Sequence, residues 1–318
     1  MKIKKILAAV TAIALGASLC GCSGGETADS ADKPLIITTI FPAYDFARQV
    51  FGDTAEVRML LKPGQESHSY DPSAKDIVEI NGCDLFVYNG GESDQWVESV
   101  LQAAPDVETF RMTDAVSLLD EEHSEGMQED DHDHDHADGD EEEYDEHVWT
   151  SPDNAAAIVR ALGSRAKALF PDSAAELDSN TESYAAQIGK IDGRLKELLD
   201  GEERYFIFGD RFPLLYFFKH YGLNYYAAFP GCGSETEPSA QTVTFLLDKL
   251  GQPDAVKAVF CIELSGRKLA DVLAEDSGLD VVEFHSCHNI TADDFAAGET
   301  YVSLMERNLQ TLEKVLVD

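Results

Sequence analysis

Three histidines occupy loop positions from which they could ligate a metal. His68 lies in Pro63-Gly64-Gln65-Glu66-Ser67-His68-Ser69-Tyr70-Asp71-Pro72. His147 lies in Asp145-Glu146-His147-Val148-Trp149-Thr150-Ser151-Pro152, and His285 in Glu283-Phe284-His285-Ser286-Cys287-His288. Imidazole is the commonest protein ligand for zinc, and two or three with a carboxylate make a tetrahedral site. A single loop histidine is ordinarily a solvated surface residue. Three at the ends of strand–helix units, where ligands of open parallel sheets collect, point to metal. His288 is a rival ligand or an outer hydrogen-bond donor. A different pattern is Asp131-His132-Asp133-His134-Asp135-His136. Here His132, His134 and His136 alternate with carboxylates and offer weak, auxiliary metal contacts on a flexible leash. The bland reading of that run is a solvated acidic insertion. His123 and His220 read as surface residues.

Thiols supply further candidates. Of six cysteines, Cys20 and Cys22 sit near the N-terminus, and Cys83, Cys232, Cys261 and Cys287 follow. Cys232 and Cys287 fall in loops expected on the same side as the histidines. They are candidates for a disulfide, or for direct thiolate ligation. Cys83 and Cys261 read as buried thiols.

Elements that alternate along the chain position these loops. Strands are expected over 35–40, 55–61, 84–88 and 107–111, separated by helices over 41–50, 73–80 and 96–103. Apolar, β-branched runs bounded by turn residues give the strands, and Ser73 is a suitable helix N-cap. Residues 151–170 and 173–199 then read as two helices parted by Pro171. The pattern resumes with strands over 205–208, 223–229, 258–263 and 281–284, and helices over 214–221, 239–250, 267–276 and 300–316. The expected class is α/β. Two similar lobes, each a parallel sheet flanked by helices, are joined by a long rigid helix, with the metal site in the cleft between them. The expected divisions are 1–21 as a signal, 22–33 as a tether, 34–150 as the first lobe, 151–200 as the helical link and 201–318 as the second lobe. Residues 120–146, with sixteen Asp or Glu and no Lys or Arg, read as a disordered loop within the first lobe.

The N-terminus reads as a secretory signal: Met1-Lys2-Ile3-Lys4-Lys5, then an apolar stretch over 6–19 too short to span a bilayer. Leu19-Cys20-Gly21-Cys22 resembles a lipobox, with Cys22 as the lipidated residue. The expected location is therefore extracytoplasmic, anchored by lipid to the outer face of a bacterial cell membrane. A net charge of −36 argues against nucleic acid and anionic surfaces as partners and suits a cation.

With these residues assembled, the chain resembles the metal-binding lipoprotein subunit of bacterial ABC importers for zinc and manganese. The Pro-Gly-x-x-x-His-x-Tyr-x-Pro loop and the His-x-Trp-x-Ser-Pro-x-Asn-Ala segment, His147 to Ala155, carry the likeness most specifically. Tyr221-Gly222-Leu223, Glu237-Pro238-Ser239 and Gly298-Glu299-Thr300-Tyr301 also fit. The resemblance implies one metal in an interlobe cleft and an ABC-type permease as partner. It also exposes a departure. Zinc members place a His after the first strand of the second lobe, where this chain has Phe208-Gly209-Asp210-Arg211-Phe212-Pro213. They place a carboxylate after the last strand, where this chain has His285. An exchange of ligand types gives His68, His147, His285 and Asp210 as the expected set. The bland reading of Asp210 is a salt bridge to Arg211 or a helix cap.

Three nitrogen donors and a His-rich loop favour Zn²⁺ over Mn²⁺, which prefers more oxygens and higher coordination. The expected role is capture of Zn²⁺ for an ABC permease. The alternatives are a manganese-binding relative, or a surface adhesin or metal buffer. An enzyme is not expected: HExxH is absent, and G-x-S-x-G occurs only as Gly21-Cys22-Ser23-Gly24-Gly25, at the lipobox. A zinc hydrolase would need an open coordination position.

Overall fold

The computed structural model describes residues 33–128, 144–231 and 237–316. The signal, the tether, Cys22, the run holding His132, His134 and His136, and Cys232 lie outside the described residues. Among the described residues no helix is long and apolar enough to cross a membrane.

Two sheets form in the same way. The first contains β1 (Leu35–Thr38), β2 (Glu56–Met59), β3 (Leu85–Tyr88) and β4 (Thr109–Arg111). Its helices are α1 (Phe41–Phe51), α2 (Ala74–Asn81) and α3 (Gln95–Ala103). Two long helices follow, α4 (Pro152–Leu169) and α5 (Ala174–Leu199). The second sheet contains β5 (Tyr205–Phe212), β6 (Asn224–Pro230), β7 (Ala255–Cys261) and β8 (Val281–Glu283). It carries α6 (Leu215–Tyr221), α7 (Ala240–Leu250), α8 (Lys268–Ser277), α9 (Ala292–Ala297) and α10 (Tyr301–Leu316). The strand orders are β2-β1-β3-β4 and β6-β5-β7-β8, and every pairing within the sheets is parallel. In both sheets the first strand lies inside, so a crossover reverses direction there. That is where parallel sheets open a crevice at their C-terminal ends.

Local chemistry fixes the ends of the elements that matter. Ser73 accepts a hydrogen bond from Asp76 N while Asp76 accepts from Ser73 N, a capping box that starts α2 directly after the His68 loop. Ser151 accepts from Asn154 N and Pro152 occupies the first turn of α4, so the helix starts just after His147. Gly91 has φ of 141°, and a side chain there would meet the Glu146 carboxylate, so this turn requires glycine.

The lobes share a core. α5 buries Leu177, Tyr184, Ile188, Ile191 and Leu195 and packs against α1 and α4 on one side and α10 on the other. At about 1.5 Å per residue its 26 residues run roughly 39 Å, enough to brace both lobes. Buried Asp45 on α1 ties the three elements together. It accepts from Tyr184 Oη, from Tyr301 N at 2.8 Å and from Arg48 Nε at 2.8 Å.

Three expectations are corrected. β5 does not stop at Phe208; it continues through Gly209-Asp210-Arg211 to Phe212, with a register shift between Phe208 and Arg211. The run is polar and carries a glycine, yet pairing of Arg211 with Phe229 and of Phe212 with Pro230 of β6 continues the strand past it. The acidic segment is structured at both ends. Asp120 bridges Tyr144, and Gln128 N donates to Ala228 O at 2.9 Å. α9 was not expected, being six residues long with five of them Asp or Ala, but Thr291 caps it by accepting from Asp294 N.

Candidate metal centre

His68, His147 and His288 come together. One ligand nitrogen of each lies within 4.8 Å of the others. Tetrahedral zinc with nitrogen at about 2.0–2.1 Å needs ligands about 3.4 Å apart, so side-chain rotations of about 1 Å close the set.

The same local device positions each ligand. A side-chain oxygen two residues earlier accepts the histidine's backbone N–H. Glu66 does so for His68 at 3.4 Å, Asp145 for His147 at 2.7 Å and Ser286 for His288 at 3.2 Å. This i−2 acceptor was visible in all three motifs and was not read from the sequence. Asp145 also meets the ring, with Oδ1 3.1 Å from His147 Nδ1. A proton on Nδ1 then leaves Nε2 as the lone-pair donor. His147 is 1 % exposed, and its Nε2 has no hydrogen-bond partner. A buried nitrogen without a partner is costly unless an ion takes it.

The other two rings are partly buried. His288 Nε2 is 3.0 Å from Ser67 Oγ; with Nε2 donating that bond, Nδ1 is the nitrogen left for an ion. Its ring packs edge-on to His68 and His147, with centroids at 5.9 and 5.4 Å, and lies 5.2 Å from Trp149. Trp149 Nε1 donates to Ser286 O at 3.0 Å, and Asn289 exchanges hydrogen bonds with Gly64 N and Gln65 O at 3.0 and 2.7 Å. These bonds join the two lobes around the imidazoles. Gly231 closes another side, where a Cβ would lie 3.2 Å from His147 Cε1.

Electrostatics divide the three. Burial pushes the basicity of His68 and His288 down; for His288 the neighbouring His147 and His68 add to it. Burial would lower His147 as well, but the Asp145 carboxylate in contact with it outweighs that and raises it.

His285 and Asp210 are not brought into this group. His285 is 4 % exposed, with Nδ1 accepting from Cys287 N at 2.9 Å; its Nε2 is buried without a partner like that of His147, but among the described residues no second imidazole gathers with it. Its backbone N donates to Asn308 Oδ1, and Asn308 Nδ2 donates back to its carbonyl, both at 2.7 Å. After β8 the chain turns through Cys287, whose φ is 60°, and the turn carries His288 rather than His285 to the cleft. Asp210 sits within β5, not in a loop. Its carboxylate accepts from Arg211 N at 2.8 Å and from Ile262 N at 3.0 Å, which fixes it to the end of β7. Cys287 is a free, buried thiol held protonated by burial and then by Glu263. Its expected partner, Cys232, lies outside the described residues.

The profile of the family described as "ZnuA: Zinc-uptake complex component A periplasmic" matches residues 36–315. The zinc-binding lipoprotein AdcA of Streptococcus pneumoniae is 31% identical over 315 residues, covering 98% of this chain and 60% of its own length. The chain thus spans about three fifths of that relative. The high-affinity zinc uptake system protein ZnuA of Bacillus subtilis is 28% identical, with 97% of this chain and 96% of the relative covered. The crystal structure of the Zn(II)-bound ZnuA-like domain of Streptococcus pneumoniae AdcA superposes with a TM-score of 0.73 at 29% identity, covering 89% of this chain and 98% of that one. A family profile matched from the first strand to the last helix, together with these relatives, establishes that the chain belongs to the ZnuA family.

Proposed function

We propose that this protein captures Zn²⁺ outside the cytoplasm and delivers it to an ABC-type permease, with His68, His147 and His288 as its ligands. The observation that carries this reading is the buried Nε2 of His147, without a protein partner, facing two further imidazoles. Three nitrogen donors with no carboxylate among them suit zinc better than manganese. The names of the relatives agree: zinc-binding lipoprotein and high-affinity zinc uptake protein. Lipidation at Cys22 would keep the carrier beside its permease. His132, His134 and His136 would collect zinc weakly and pass it inward.

We read the protein as a carrier rather than an enzyme. Three imidazoles leave a tetrahedral position open, so coordination number does not separate the two as the four-ligand set would have done. The separation rests on the family, a transport component.

The test is competition of the mature protein against a zinc chelator of known affinity. One tight equivalent is expected, weakened at least a hundredfold in His147→Ala. Tight binding unchanged in His147→Ala would sink the reading.

A further inference from the structure

The imidazoles bring no charge to a dication; Asp145 acts on it only through the His147 ring, Glu146 accepts from Ser93 N at 3.0 Å, and the other carboxylates nearby are engaged as well. Glu66 accepts from Ser67 N at 3.0 Å, and its other oxygen lies 3.6 Å from Arg211 Nη1. Glu263 accepts from Ser286 N and Oγ, each at 2.7 Å. Asp210 is bonded to backbone. Beside the histidines lies a cavity of about 90 Å³, walled in part by His68, His288, Ser67, Ser286 and Arg211. At about 10–15 Å³ per water it has room for several waters or one small anion.

Arg211 is the anomaly. Its side chain is 16% exposed, and it is the one Lys or Arg among the described residues of that wall. A guanidinium beside a dication site opposes binding unless negative charge lies between the two. Glu66 supplies part of that charge, with one oxygen on its own backbone and the other 3.6 Å from Arg211. A planar oxyanion would match the guanidinium fork, and the shared cavity puts it on the same wall as His68 and His288.

We infer that the ion is held as a ternary complex, in which a small carboxylate-type oxyanion from solution takes the fourth position, one oxygen on the metal and the other on Arg211. This rests on the three-histidine reading above. Binding the anion releases the water that otherwise completes the coordination shell, and Arg211 makes the pocket selective for oxyanions over halide.

Cobalt(II) replaces zinc as a spectroscopic probe in the mature protein. Its visible bands are followed at fixed pH and ionic strength while bicarbonate or acetate is titrated, with chloride as the control. A saturable change with either oxyanion and none with chloride is expected. Arg211→Gln should keep one cobalt per chain but weaken the oxyanion at least tenfold, and Arg211→Lys should recover part of the loss. Bands indifferent to oxyanions, or equal oxyanion affinity in Arg211→Gln, would overturn the inference. So would oxyanion sensitivity gained only in Glu66→Gln, which would put Glu66 on the metal, or a sulfur-to-cobalt charge-transfer band. A wild-type protein that binds no cobalt at all would instead overturn the three-histidine site.

Discussion

His147 is the imidazole at which a proton competes most with an incoming ion. Asp145 raises its basicity, while burial lowers that of His68 and His288. As pH falls, His147 therefore charges first, starting above the ordinary value of about 6.5. Zinc affinity should begin to weaken there, with a slope near one proton per ion, and steepen at lower pH as the other two imidazoles charge. Calorimetry between about pH 5 and 8 checks this; affinity flat over that range would contradict it. For the apo protein the signs differ by residue. The raised His147 contributes stability below about 6.5 that is lost as pH rises through its folded value. The lowered His68 and His288 contribute stability present above about 6.5 and lost as pH falls toward their folded values. Asp145→Asn should cost roughly 10–100-fold in zinc affinity, because the ring loses the partner that fixes its tautomer, and should move the pH midpoint down. The histidine at the end of the acidic run was legible because His-x-Trp-x-Ser-Pro is a specific pattern. The choice between His285 and His288 was not, since it depends on one left-handed residue, Cys287. Spacing alone does not reveal such a turn.

Among the elements, α1, α5 and α10 meet at Asp45, a carboxylate with no exposure and several donors. Asp45→Ala leaves Tyr184 Oη and Tyr301 N without their acceptor in a shared core. Breaking a buried charged network of this kind costs about 3–5 kcal/mol. Denaturant unfolding of the apo protein should show that loss, while any folded fraction still binds one zinc. A change below about 1 kcal/mol would mean that the apolar packing of α5 alone joins the lobes. The alternation of strands and helices was legible because period-two and period-3.6 patterns change cleanly along this chain. The extension of β5 was not. Gly209-Asp210-Arg211 is polar and glycine-containing, and pairing of Arg211 with β6 together with the Asp210 bond to Ile262 N keeps it extended. Asp210 entered the expected ligand set through the resemblance, and the structure holds it within β5.

For the molecule as a whole, one core spans both sheets, and the ion would crosslink loops already joined by Trp149, Asn289 and Ser67. Wide hinge closure is therefore not expected, and small-angle scattering should give nearly the same radius of gyration with and without zinc. Zinc stabilises the native state by mass action, by about 2.7 kcal/mol at a hundredfold excess over Kd. Deleting residues 129–143 should remove the weak zinc sites and leave the tight one. Extending the deletion back to Asp120 should lower the melting temperature, because Gln128 and Gly126 pack on the second sheet and its helix α7. Equal stability of the two deletions would show that this packing contributes nothing.

The central claim is that His68, His147 and His288, not His285, hold the ion across the two lobes. Zinc-edge X-ray absorption counts imidazoles directly. The wild type should show three at about 2.0 Å. His285→Ala should keep all three, and His288→Ala should keep two and lose most of its zinc-induced rise in melting temperature. Three imidazoles retained in His288→Ala with one lost in His285→Ala would contradict the account.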